Sequence, residues 1–113
     1  MTDPSCDIII PIWNQPELTK RCIQSVLQMT ELPFRLILID NGSELPTREL
    51  LDQFRSKPNV SVEVIRNLEN LGFIKAVNQG IRASKAAWVC LLNNDTVVTR
   101  GWLKELVQVA QAD

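Results

Sequence analysis

Phe34-Arg-Leu-Ile-Leu-Ile-Asp40, followed at once by Asn41-Gly-Ser43, is the stretch on which the fold turns. A strand with one wet face alternates apolar and polar residues, whereas this run is apolar from Leu36 through Ile39 and suits a strand buried on both faces. Central strands of parallel sheets have that character. Asp7-Ile-Ile-Ile-Pro11 repeats it in shorter form and stops at a proline. Val60-Ser-Val-Glu-Val-Ile65 alternates and is rich in β-branched residues, and Trp88-Val-Cys-Leu-Leu92 is a fourth apolar run ended by polar residues.

Helical periods fill the gaps between these runs. Leu18, Cys22 and Val26, with Ile23 and Leu27, recur at i+4, and Pro16 sits where a first-turn proline is tolerated. Pro46 opens a second helix with Leu50, Leu51 and Phe54 facing inward. Phe73, Ile74, Val77 and Ile81 form a third stripe, weakened by Gly80, and Trp102, Leu103, Leu106, Val107 and Ala110 form a fourth. Strict alternation of strand and helix predicts an α/β fold: a Rossmann-like, open, mostly parallel sheet with helices on both faces, in one domain over residues 1–113. Ligands of such sheets bind beyond the carboxyl ends of the strands. Those ends are the polar places here: Pro11-Ile-Trp-Asn14, Asp40-Asn-Gly-Ser43, Arg66-Asn67 and Asn93-Asn-Asp95.

Composition narrows the chemistry. The chain is 45% hydrophobic and 22% charged with a net charge of −1, so no global field draws it to nucleic acid or to an anionic membrane. Residues 1–7 carry acids instead of a basic stretch, and the apolar run 8–10 is too short for a signal peptide or membrane span, which points to the cytoplasm. Cys6, Cys22 and Cys90 are odd in number and set among apolar residues, as buried free thiols are. The absence of histidine removes Ser-His and Cys-His nucleophile pairs and HExxH metal sites together. Chemistry must therefore run on carboxylates, amides, backbone dipoles or a hard metal.

Asp95 closes Leu91-Leu-Asn-Asn-Asp-Thr96, where a hydrophobic strand delivers three polar side chains to the sheet edge. A single carboxylate there suits Mg2+ or Mn2+, because substrate phosphates and water complete the shell of such ions; a plain turn is the alternative. Asp40 can accept hydrogen bonds from a base N–H or a ribose hydroxyl, or serve a turn whose Ser43 caps the next helix. Gly72 lets backbone approach a ligand at a helix start, and Lys75 can reach a phosphate or simply be solvated. Trp13, in a loop at this rim, can stack near a base, while Trp88 and Trp102 suit packing.

Taken in order, Ile10-Pro11-Ile-Trp-Asn14, Asp40-Asn-Gly-Ser43, Asn67-x-x-Asn70-x-Gly72-Phe73, Lys75-Ala-Val-Asn78-x-Gly80 and Leu91-Leu-Asn-Asn-Asp-Thr96 resemble the family 2 glycosyltransferases of the GT-A fold. The Asn-Asn-Asp form is similar to the rhamnosyltransferase-like branch. The resemblance implies a nucleotide-sugar donor, with Pro11, Trp13 and Asn14 around the base and Asp40 on it. It puts Asn70, Gly72, Lys75 and Asn78 along the nucleotide and maps the family's Asp-x-Asp onto Asn93-Asn94-Asp95. Asp95 is then the metal ligand, and Asn93 stands where an acid usually faces the ribose and sugar. Transfer would be inverting, to a hydroxyl of a glycan, lipid-linked or other acceptor. Family catalytic domains continue into an acceptor half that supplies the base, and neither Glu105 nor Asp113 suits that role. The expectation is therefore a donor-binding part cut before the acceptor half, membrane-associated only through a longer chain, with an unfinished sheet edge that invites self-association.

Two other classes compete. A dinucleotide or P-loop enzyme shares the alternating pattern, but neither G-x-G-x-x-G in the first turn nor G-x-x-x-x-G-K-[ST] occurs. A module that binds nucleotide sugar without turning it over fits the length.

Overall fold

A computed structural model describes residues 6–112; residues 1–5 and Asp113, and with them Asp3 of the acidic start and the last acid weighed as a base, lie outside the described residues. The elements alternate as expected: β1 (Cys6–Ile12), α1 (Pro16–Met29), β2 (Phe34–Asn41), α2 (Leu45–Arg55), β3 (Val62–Asn67), α3 (Phe73–Ala83), β4 (Trp88–Leu91) and α4 (Trp102–Ala112). The four strands pair in parallel in the order β3-β2-β1-β4. Among the described residues, no helix is long and apolar enough to cross a membrane.

Period-2 geometry divides the strands between two cores. Ile8, Ile10, Ile12, Leu36 and Leu38 face Cys22, Ile23 and Val26 of α1, Leu51 and Phe54 of α2, and Leu103 of α4. Ile9, Ile37 and Ile39 face the other way, onto Ala76 of α3. The chain steps from β1 to β2 to β3 with its helices on one face. It then crosses back over the opposite face through α3 to place β4 on the far side of β1. The strand order thus reverses between β1 and β4, and such a switch point opens a crevice at the carboxyl ends of the two strands.

The expected inward stripe of α3 is corrected by the structure. Ala76 and Gly80 are the buried positions of the helix, while Phe73, Ile74 and Ile81 are 54%, 74% and 50% exposed. Closeness is the cause: a Cβ on Gly80 would stand 2.6 Å from Ile9 Cγ2, so only small side chains let α3 lie on the sheet. Gln79 binds Asn67 of β3 on one flank of the helix. By helical geometry, Phe73, Val77 and Ile81 then lie on the β4 flank, where Val89 and Leu91 are also exposed. In α4 the expected stripe is covered only in part, since Leu103 is buried but Leu106 is 53% exposed. In α1, Leu18 is likewise exposed, and polar Thr19 and Ser25 are buried with Cys22, Ile23 and Val26.

The amino ends of the strands are tied by one carboxylate. Asp7 is buried and accepts from Arg35 Nε and Nη2 at 3.2 Å each, the Ser84 hydroxyl at 2.7 Å, and the Lys85 and Ala86 N–H groups at 2.8 and 3.2 Å. Arg35 extends the tie to Glu63 of β3 and to the Ala83 carbonyl that ends α3. Burial alone would raise the Asp7 pKa, but the donors outweigh it and hold the group at about 2. All three cysteines are free thiols. Burial pushes Cys6 up to about 12 and Cys22 up to about 11, which keeps both protonated and inert.

Candidate functional site

At the carboxyl ends of the strands, the loops are stitched together before any ligand is considered. Asn14 takes a left-handed conformation (φ 55°), as does Gln15 after it (φ 59°), a turn that Asn tolerates better than most residues. The Asn14 N–H donates to Ser43 Oγ at 2.9 Å, and its side-chain oxygen accepts from the Glu44 N–H at 2.7 Å. Thr19 donates to the Asn14 carbonyl and accepts from Asn94 Nδ2 at 3.1 Å. The loops after β1, β2 and β4 therefore share one hydrogen-bonded chain through Asn14 and Thr19. Ser43 serves this link and does not cap α2, whose N-cap is Glu44.

A cleft of about 350 Å3 opens at the switch point, lined by Pro11, Ile12, Trp13, Asn41, Asn70, Phe73, Asn93, Asn94 and Asp95. Trp13 is 55% exposed at its rim, with its ring available for stacking. Asn94 and Asp95 occupy a turn closed by the backbone, Thr96 N–H to Asn93 carbonyl at 3.1 Å. The Asp95 side chain is not needed to make that turn: among the described residues its carboxylate has no hydrogen-bond or ion-pair partner, and it is exposed. Cys22 Sγ reaches the Asn93 carbonyl at 3.5 Å and braces the loop from below.

Asp40 lies beneath the cleft instead of in it. It is fully buried; Oδ1 accepts from the Ser43 N–H at 3.0 Å and Oδ2 from Arg66 Nε at 2.9 Å. The turn expected as its alternative role is thus present, together with an ion pair across the β2–β3 register. Its neighbour Asn41, which the motif reading passed over, takes the lining position. Gly72 is the N-cap of α3 at φ 91°, and no atom lies within 4 Å of where its Cβ would be, so it is needed for its backbone angle. Lys75 and Asn78 are exposed on α3 and do not line the cleft. Nor does Asn14, which supports it from behind. Six expected residues, Pro11, Trp13, Asn70, Asn93, Asn94 and Asp95, do meet around one cavity. Asn41, Ile12 and Phe73 complete the lining, and Thr19 the bracing.

Comparison with known proteins bears on the origin of this arrangement. Residues 7–113 match the model of the family described as glycosyl transferase family 2. The chain belongs to that family. As a family 2 chain, it is 27% identical over 104 residues to glycosyltransferase GlyG of Streptococcus pneumoniae, covering 92% of this chain and 34% of that protein. It is 30% identical over 105 residues to glycosyltransferase AglE of Haloferax volcanii, covering 91% and 34%. The family 2 chain therefore spans about a third of the length of these relatives. Among solved structures, the mannosyltransferase PcManGT of Pyrobaculum calidifontis, in complex with GDP-Man and Mn2+, superposes with a TM-score of 0.84 at 18% identity, covering 95% of this chain and 32% of that one. TarS 1-349 of S. aureus, in complex with UDP-GlcNAc, superposes at 0.82 and 18% identity, covering 96% and 31%. Likeness at that identity establishes the shared GT-A architecture.

Proposed function

We propose that the cleft holds the nucleoside diphosphate of a sugar donor, with a divalent cation between the diphosphate and Asp95, in a domain that serves inverting glycosyl transfer. The observation that carries this reading is the exposed Asp95 carboxylate, without a hydrogen-bond or ion-pair partner among the described residues, set in the cleft at the switch point with amides and the rings of Trp13 and Phe73. The donor set fits a hard ion: one carboxylate and amide oxygens, with room for phosphate oxygens and water. No cluster of three or more His, Cys, Asp or Glu competes for a metal among the described residues. The bound cation would neutralise charge on the diphosphate as it leaves. The chain's own part is positional. Trp13 offers a stacking face to the base, Asn70 and Asn93 offer amides to ribose and sugar hydroxyls, and the α3 start offers N–H groups toward the phosphates. Lys75, one turn on, is close enough in sequence to swing toward them, and Asn78 follows on the same helix. Asp40 acts from below by fixing the turn that carries Asn41.

The Asn93-Asn94-Asp95 loop supports a place near the rhamnosyltransferase-like branch and a UDP- or dTDP-sugar donor. The acceptor is a hydroxyl of a glycan or lipid-linked glycan, and the three free thiols support a cytoplasmic setting. A second reading rests on one fact: Asp95 is the single carboxylate lining the cleft among the described residues, so no lining group is left to take the acceptor's proton. The region 7–113 is then a donor-binding part, able to hold the nucleotide sugar without transferring it. Isothermal titration with UDP, dTDP and GDP, each with and without Mn2+, separates the possibilities. We expect one nucleotide to bind in the micromolar range, at least about tenfold tighter with Mn2+. Equal affinity with and without the ion, or preference for a dinucleotide, would sink the proposal.

A further inference from the structure

Segment 67–72 brings Asn70 to the wall of the cleft, yet its apolar residues do not anchor it: Leu68 is 103% exposed and Leu71 is 36% exposed. It is held by amides. Asn41 Nδ2 donates to Asn70 Oδ1 at 2.9 Å and to the Gly72 carbonyl at 3.2 Å. Asn41 Oδ1 accepts from the Leu71 N–H at 2.9 Å and from Asn67 Nδ2 at 3.2 Å. Both hydrogens and both lone pairs of the side chain are thereby used, a set that neither aspartate nor leucine can reproduce. Asn70 Oδ1 also accepts from the Gly72 N–H at 2.8 Å, and Asn67 exchanges two hydrogen bonds with Gln79 at 2.7 and 2.8 Å. Asn41 is only 5% exposed and sits at the end of β2, so its own position is fixed by the strand. Beside it, Gly42 (φ 79°) lets the segment settle onto the turn, where a Cβ would come within 2.5 Å of the Glu69 carbonyl carbon.

We infer that Asn41 is a positioning residue: through its four hydrogen bonds it holds segment 67–72 in the place where the wall of the cleft and the start of α3 meet the nucleotide. The inference rests on the donor-site reading above. An amide is required at this position because two acceptors, Asn70 Oδ1 and the Gly72 carbonyl, face its nitrogen. Asn41→Asp keeps the shape and turns an oxygen toward both.

The test is backbone amide exchange followed by NMR on the ligand-free chain, paired with titration of UDP, dTDP and GDP in the presence of Mn2+. In Asn41→Asp, protection of the Leu71 and Gly72 amides is expected to fall about tenfold, and nucleotide affinity with it. Corrected for intrinsic exchange, protection in this variant should recover as the pH falls and the carboxyl regains a proton to donate. Purely structural damage would not reverse in that way. Asn70→Ala reaches the Asn41–Asn70 contact from the exposed side and should lower protection of the Leu71 amide, whose hydrogen bond Asn41 accepts, if the β2 variant does not fold. Unchanged protection in both variants overturns the inference, as does lost protection with undiminished nucleotide affinity. A wild-type chain that binds no nucleotide but loses protection in Asn41→Asp would instead refute the donor-site reading and leave the clamp standing.

Discussion

Asp95→Ala is expected to remove the Mn2+-dependent part of nucleotide binding while leaving the thermal transition in place. Substituting the groups that merely orient metal ligands costs roughly 10–100-fold in metal affinity, so removing the one carboxylate that lines the cleft among the described residues should exceed that range. The fold should be indifferent, because the turn around Asp95 is closed by backbone and the side chain is exposed without a partner among the described residues. Surface changes of that kind stay within about 0.5 kcal/mol. Calorimetric titration with and without Mn2+, beside a melting curve, reads both halves. A variant that keeps its Mn2+ response would move the cation away from Asp95.

Asp7→Ala carries the largest expected loss of stability. The change strands the Arg35 guanidinium, the Ser84 hydroxyl and the Lys85 and Ala86 N–H groups at one buried point. Breaking a buried pair from one side typically costs about 3–5 kcal/mol. Acid should reproduce part of this in the unmodified chain. The folded pKa of Asp7 is depressed to about 2 from an ordinary 3.8, so its contribution is present above the unfolded value and is lost as pH falls from about 4 toward 2. That contribution is on the order of 2 kcal/mol. Urea unfolding of both proteins across this window should show the gap between them narrowing as the pH drops. A gap that stays constant would mean that Asp7 is not held as a carboxylate by these donors.

These two carboxylates show what could be read from the sequence and what could not. Three of the four strands are apolar runs and β3 alternates, and neither pattern needs knowledge of partners. Their polar ends then placed Pro11, Trp13, Asn70 and Asn93 through Asp95 around one cavity. Boundaries moved where pairing overrode composition: β3 runs to Asn67 because Arg66 and Asn67 pair with Asp40 and Asn41, although polar residues read as a strand end. Asp40 looked accessible for the same reason in reverse. Its burial depends on Arg66, a partner 26 positions away that only the β2–β3 register brings across. Asn41 and Thr19 gave no signal, since an amide or hydroxyl becomes a hub only when several loops converge on it. The apolar stripe on α3 does not mark its buried face, because apolar spacing carries no information on how closely a helix approaches the sheet. Against a sheet face crowded by Ile9, the small residues Ala76 and Gly80 go in and the large ones are left out.

The most direct trial of the account is paramagnetic line broadening of the amide spectrum by Mn2+ in the presence of the best-binding nucleoside diphosphate. Resonances of Trp13, Asn41, Asn93, Asn94, Asp95 and Thr96 should broaden first, while those around Asp7, Ser84 and Lys85 at the opposite end of the strands stay sharp. Broadening centred away from Asp95, or none that depends on the nucleotide, would contradict it.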